Sequence, residues 1–266
     1  MPSNTPEPST SIIWFIFVTI FYFMFKLSTT VPATLQVYYS IYLLFVILGE
    51  YFINLTLTKT ICGSNQWNST LVITLFPWIV IFGSINIILN VFPGWLSPFS
   101  NTIGYGIARL AGLGELSADL FIRPDQFKEG DDNKEMKIMV EKIYNDQGTL
   151  INNLPYEESK GINQDFWTRI EHLIVTKTPD VNKYKTIGEM KEKFIGFLRL
   201  KDIIAESIWF IISGLLVTSI SYNYLLNIGC KKTVQEMQNA SENYNSSLIE
   251  SEKNKLKAPR LYTSTE

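Results

Sequence analysis

The chain holds 266 residues, 46% of them hydrophobic and 18% charged, where a soluble domain carries about 25% charged. Of its 23 basic and 25 acidic side chains, only Glu7, Lys26, Glu50, Lys59, Arg109, Glu115, Asp119, Arg123 and Glu206 lie up to residue 123 or inside the last apolar run. That segregation excludes an ordinary soluble globule. A net charge of -2 leaves no basic footprint for nucleic acid, and two cysteines exclude a disulfide scaffold or a cysteine zinc cluster.

In chain order, a polar tail (1–10) precedes four apolar runs. A helix needs roughly 20 apolar residues to cross a bilayer core about 30 Å thick. Residues 11–27 are uncharged until Lys26, 36–57 carry only Glu50, 70–92 carry no charge, and 203–228 have Glu206 near their start. These runs predict an all-α integral membrane protein with four transmembrane helices. The expected organisation is three spans in 11–92, an elbow and an interfacial amphipathic helix in 93–122, a small helical extramembrane head in 123–202, the fourth span in 203–228 and a polar tail in 229–266. A cleaved signal peptide is the weaker reading of the first run, because no Lys or Arg precedes it.

Four spans place both termini on one side, side A. Side B then holds the residue 28–35 loop and residues 93–202. Near the membrane, side B has Lys26, Arg109, Lys191, Lys193, Arg199 and Lys201, against Lys59, Lys231 and Lys232 on side A. The positive-inside rule makes side B cytosolic. Sequons for glycosylation begin at Asn54, Asn68, Asn239 and Asn245, all on side A or at its membrane edge. Cys62 and Cys230 also fall on side A. They can form a disulfide only if the second and fourth spans are neighbours; otherwise they are two free thiols.

Pro93, Gly94 and Pro98 cannot continue the third span and Trp95 suits the interface, so Pro93, Gly94, Trp95 and Pro98 read as an elbow at the membrane surface. Beyond it, Ile103, Ile107, Leu110, Leu113, Leu116 and Leu120 recur at helical spacing and predict one apolar face. Gly104, Ala108 and Gly112 form a small stripe suited to close helix packing. From Arg123 the composition turns polar. Asp131/Asp132 begin a helix with Met136, Val140 and Ile143 on one face. Asp165 caps another, with Phe166, Ile170, Leu173 and Ile174 inward, ended by Pro179. Thr186 and Glu189 form a capping box, opening a helix with Met190, Phe194 and Phe197 as its face. That helix is expected to run straight into the fourth span as a rod of roughly 40 residues. The tail beyond Lys231 has Val234, Met237, Tyr244 and Leu248 as a broken heptad.

Chemistry is sparse. The single histidine, His172, has no second ligand at helical spacing, so no metal or cofactor is expected. Thr102, Ile103, Gly104, Tyr105 and Gly106 match a potassium-channel filter signature. The flanking segments, broken by Pro93 and Pro98 before and charged after, do not supply the two helices such a filter needs. Glu50 and Glu206 are intramembrane acids and hence functional candidates; the plainer reading is that each reaches the interface or bonds a neighbouring Asn or Ser.

Residues 89–111 (LNVFPGWLSPFSNTIGYGIARLA), with the preceding CGSNQW at 62–67 and LFPW at 75–78, resemble a family of uncharacterised multi-span membrane proteins of nucleocytoplasmic large DNA viruses. The resemblance covers roughly residues 60–115 and carries no functional residue with it. It implies a non-enzymatic structural protein of the internal virion membrane, drawn from host endoplasmic reticulum. The lipid bilayer and membrane or minor capsid proteins would be its partners, and self-association is left open. The expected role is to scaffold that membrane and link it to the capsid. The alternatives are an ion channel or small transporter built on residues 102–106 or Glu50, and a host-membrane remodelling protein.

Overall fold

Where water is absent, an apolar run can satisfy its backbone polar groups only by the internal ladder of a helix. In the computed structural model, which describes residues 9–124, 134–154, 164–178, 183–230 and 234–257, the four runs take that form. The Asp131/Asp132 helix start, Pro179 and the Lys231/Lys232 pair lie outside the described residues. Among those described, the chain is all-helical apart from one isolated bridge, Phe121 to Ile174. Among the described residues, four helices are long and apolar enough to cross a membrane: α1 (Ser9–Ser28), α2 (Pro32–Cys62), α3 (Trp67–Val91) and a later one, Ile187–Leu226.

Pro32 stands in the first turn of α2, where a missing N–H leaves no gap. Pro77 stands inside α3 and has no N–H for the carbonyl of Ile73. A wider π turn, Trp78–Phe82, absorbs the break. Ser221 of the last long helix donates to the freed Ile73 carbonyl at 3.3 Å. Both α1 and α3 pack between α2 and that helix. The bundle core is aromatic: Phe210 meets the edges of Phe23 and Phe82, each at 5.2 Å between ring centres. Outside, Ile13, Phe17, Leu44, Phe45, Val72 and Ile79 are each more than half exposed. An apolar belt of that extent needs lipid or protein, not water, over it.

The helix breaks at Phe92 and re-forms through a 3-10 turn, Pro93–Leu96. Trp209 pins this elbow: its indole N–H donates to the Trp95 carbonyl at 2.9 Å, and Phe99 meets its ring edge-on. From Ser97 the path is helical through a π turn, Ser100–Gly104, and then breaks at a kink within Arg109–Leu113 before α4 (Gly114–Leu120). Gly112 sits in the left-handed region at φ 116°, a conformation that a side chain would strain. The expected single apolar face is therefore corrected to two. Ile103, Ile107 and Leu110 point outward, while Leu113, Leu116 and Leu120 are buried. The π turn at Ser100–Gly104 and the kink at Gly112 shift the register between the two sets.

The inward set meets α5 (Lys134–Asn145), α6 (Gln147–Asn152) and α7 (Gln164–Arg169) through Val140, Ile151 and Phe166. The helix expected to open at Asp165 has that residue inside its described range, Gln164–Arg169, not at its cap, and it is shorter than expected. It ends at Arg169, Leu173 falls in a 3-10 turn, and Ile174 pairs with Phe121. The centre of this head is the first half of α8 (Ile187–Leu226), whose Met190, Phe194 and Leu198 are fully buried. Thr186 caps α8 by accepting from the Glu189 N–H at 3.1 Å, and the Glu189 carboxylate accepts from the Lys185 N–H at 3.0 Å. A last helix, α9 (Val234–Lys257), has Val234, Met237, Tyr244 and Leu248 exposed.

Gly104 is where the elbow touches α8 backbone to backbone. A Cβ there would lie 2.3 Å from the Lys201 carbonyl oxygen, whereas one at Gly106 would meet nothing within 4 Å. Gly104→Val should therefore cost more than the 1–3 kcal/mol typical of overpacking, since a backbone carbonyl cannot swing aside. Thermal melting in detergent checks this, with Gly106→Ala as the neutral control. Equal melting of Gly104→Val and wild type would contradict the contact.

Candidate functional site

Charged residues on α8 cluster at the level where the head meets the long helices. Arg199, Asp202 and Glu206 recur at three and four residues and so share one side of the helix; Lys201 lies on the other. The Arg199 guanidinium is buried and donates to three carbonyls at the end of α1: Lys26 at 2.6 Å, Leu27 at 3.2 Å, and Thr29. The last carbonyls of a helix have no partners within it, and a cation there also matches the helix dipole. Lys26 reaches back to Glu206 at 2.6 Å. On the far side, Lys201 is 3% exposed. Its ammonium donates to the Asn101 side chain at 3.2 Å, the Ile151 carbonyl at 3.3 Å and the Asn152 side chain at 3.4 Å. Ser100 donates to Asp202 at 2.5 Å.

This collar joins α1, the elbow and the head to one helix. Each buried ion would cost several kcal/mol if left alone, so their mutual satisfaction fixes how the four parts sit. The exposed pairs of Lys183 with Asp119 and Glu115, at 3.2 and 3.3 Å, contribute little beside it.

A second polar site lies nearer the other end of the bundle. Glu50 is fully buried, and Ser11 Oγ donates to its Oε2. Among the described residues its Oε1 has no hydrogen-bond partner. One turn on, Asn54 donates to Thr74 at 2.9 Å, and Thr58 meets Thr70 at 3.1 Å. Beside Ser11 and Asn54 opens a cavity of about 190 Å³ that includes Thr218, Ser219, Tyr222 and Asn223 in its wall.

The residues singled out in the sequence distribute as follows. Cys62 and Cys230 are bonded to each other, with Cα atoms 5.4 Å apart. Pro93, Gly94, Trp95 and Pro98 form the elbow described above. Thr102, Ile103 and Gly104 lie in a π turn, and Tyr105 and Gly106 in a short α-helical stretch. Carbonyls held along a helix axis cannot form the ring that replaces an ion's water, so the filter alternative is corrected. Tyr105 instead packs on the head core. Glu206 is corrected from an interface or Asn/Ser contact to an ion pair with Lys26. Asn54 is corrected as a glycan acceptor, since it is 2% exposed and bonded to Thr74. Asn68, Asn239 and Asn245 are exposed.

Sequence reasoning counted Lys26, Arg199 and Lys201 as basic residues at the membrane edge and did not pair them. The available signal was the i, i+3, i+7 spacing of Arg199, Asp202 and Glu206 just where an apolar run begins. The chain matches no protein-family model, no curated protein and no solved structure.

Proposed function

We propose that the chain is an integral membrane protein with a structural role, in which four helices anchor it in a bilayer and the helical head holds that bilayer to a protein layer. The continuity of α8 carries this reading. One helix of 40 residues, about 60 Å at 1.5 Å per residue, is both the fourth span and the centre of the head. The collar fastens α1 and the elbow to it where the two halves meet. A load on the head passes to the spans with no flexible linker between them. The elbow, with Ile103, Ile107 and Leu110 outward and Trp95 half-exposed, is suited to lie among lipid headgroups.

Basic residues on side B favour a cytosolic head. The disulfide and the exposed sequons at Asn68, Asn239 and Asn245, on the opposite side, support the same orientation. The resemblance to proteins of large DNA viruses supports reading the bilayer as the internal virion membrane and the protein layer as minor capsid proteins.

Cross-linking of intact particles or membranes that carry the chain tests the proposal. Lys183, Lys185, Lys191 and Lys193 on the head should join one coat-forming protein in near-stoichiometric yield. Protease on sealed microsomes should cut within 123–202 and spare α9. Cross-links spread over unrelated proteins would remove the tether, and a protected head with a cleaved α9 would invert the orientation.

A further inference from the structure

Glu50 differs from the other buried charges because, among the described residues, no cation answers it. α1 carries one charge, Lys26, which binds Glu206 at the far end of the bundle. α3 carries none, and α8 carries none between Glu206 and its end. On α2 itself, Lys59 is exposed and stands nine residues on, about half a turn around the helix from Glu50. Tyr222 is the titratable group in the adjoining cavity wall. The first turn of α1 presents its dipole near Glu50 through Ser11, but a surface-type dipole effect is smaller than the penalty for an unpaired buried anion.

We propose that Glu50 is a proton-binding site that exchanges with the solution on the disulfide side. The neutral acid fits its surroundings atom by atom. With the proton on Oε2, the contact to Ser11 Oγ reverses: the acid's O–H donates, Ser11 Oγ accepts, and the acid's single donor is used. Oε1 is then a carbonyl oxygen, for which a missing donor costs far less than for a carboxylate oxygen. The ionised form would leave that oxygen charged and unanswered.

The cavity supplies the route. It begins at Ser11, the partner of Glu50, and its wall includes Asn223 and Leu226 in the last turn of α8, near Cys230. Ser11, Asn54, Thr218, Ser219, Tyr222 and Asn223 give water the polar partners it needs to enter. Binding is then one reversible step, in which a proton delivered by cavity water joins the carboxylate and leaves by the same path.

Infrared spectroscopy of the full chain in phosphatidylcholine vesicles at pH 7 tests this. The wild-type minus Glu50→Gln difference should show a carboxylic-acid carbonyl band. That band should shift within minutes of transfer to heavy water. In a separate arm that needs no variant, dicyclohexylcarbodiimide, which attacks protonated buried carboxyls, should leave an adduct at Glu50 by mass spectrometry. Absence of both the band and the adduct would show an ionised Glu50 and overturn the site. A band indifferent to heavy water would overturn the exchange. Loss of the band on adding sodium or potassium chloride at fixed pH would assign the site to a metal cation instead.

Discussion

Arg199→Ala should lower the melting temperature of the detergent-solubilised protein by roughly 10 °C and expose the 29–31 connection to protease. The side chain donates to the carbonyls of Lys26, Leu27 and Thr29, which otherwise have no helical partner. Removing it takes the charged donor from all three oxygens, that of Lys26 in a buried contact, and it takes away the side chain that ties the end of α1 to α8. Breaking a buried charged contact of this kind costs about 3–5 kcal/mol. Arg199→Lys should recover only part of the loss, since an ammonium cannot spread planar donors over three carbonyls. If Arg199→Ala melts with wild type and the connection stays resistant, the collar does not hold the bundle.

How much of this was legible in the sequence depended on the range of the interaction. The four long helices could be read because apolar composition alone forces them. The start of α8 could be read because its cap is local: Thr186 and Glu189 are three residues apart. The collar could not be read in the same way. Arg199 finds its partners some 170 residues earlier in the chain, and nothing in the α8 sequence says which helix end will lie against it. The apolar face of the elbow was misread for another reason. Ile103 to Leu120 keep a helical period, but the kink at Gly112 turns the second half relative to the first, and periodicity assumes a uniform helix. Glu50 was visible as an acid in an apolar run, while its Ser11 partner, its unpaired oxygen and the neighbouring cavity are products of packing. The cysteines lay between these cases. Topology put both on one side, and only the packing of α2 against α8 decides that they meet.

Cys230→Ser should lower stability by about 2–5 kcal/mol and leave the fold of the head unchanged. The bond closes a loop of 168 residues, for which the chain-entropy treatment gives about 5 kcal/mol in a fully unfolded chain. Helices inserted in a bilayer keep their backbone bonds and much of their direction, so the cross-link removes less freedom there, and the effect should fall below that ceiling. The loss should be local in its consequences. Cys62 ends α2 and Cys230 follows α8, so the bond sets the spacing of these two ends and fixes the point from which α9 departs. Without it, spin labels placed beyond Cys230 should report a broader range of distances to α2, while the collar contacts at the opposite end hold. The unreduced wild type should take up no maleimide, and the reduced protein should take up two. Reductant should bring the melting temperature of wild type down to that of Cys230→Ser and leave the variant unmoved. A wild type that labels at both thiols before reduction, or a variant that melts with the oxidised protein, would remove the cross-link from the account of stability.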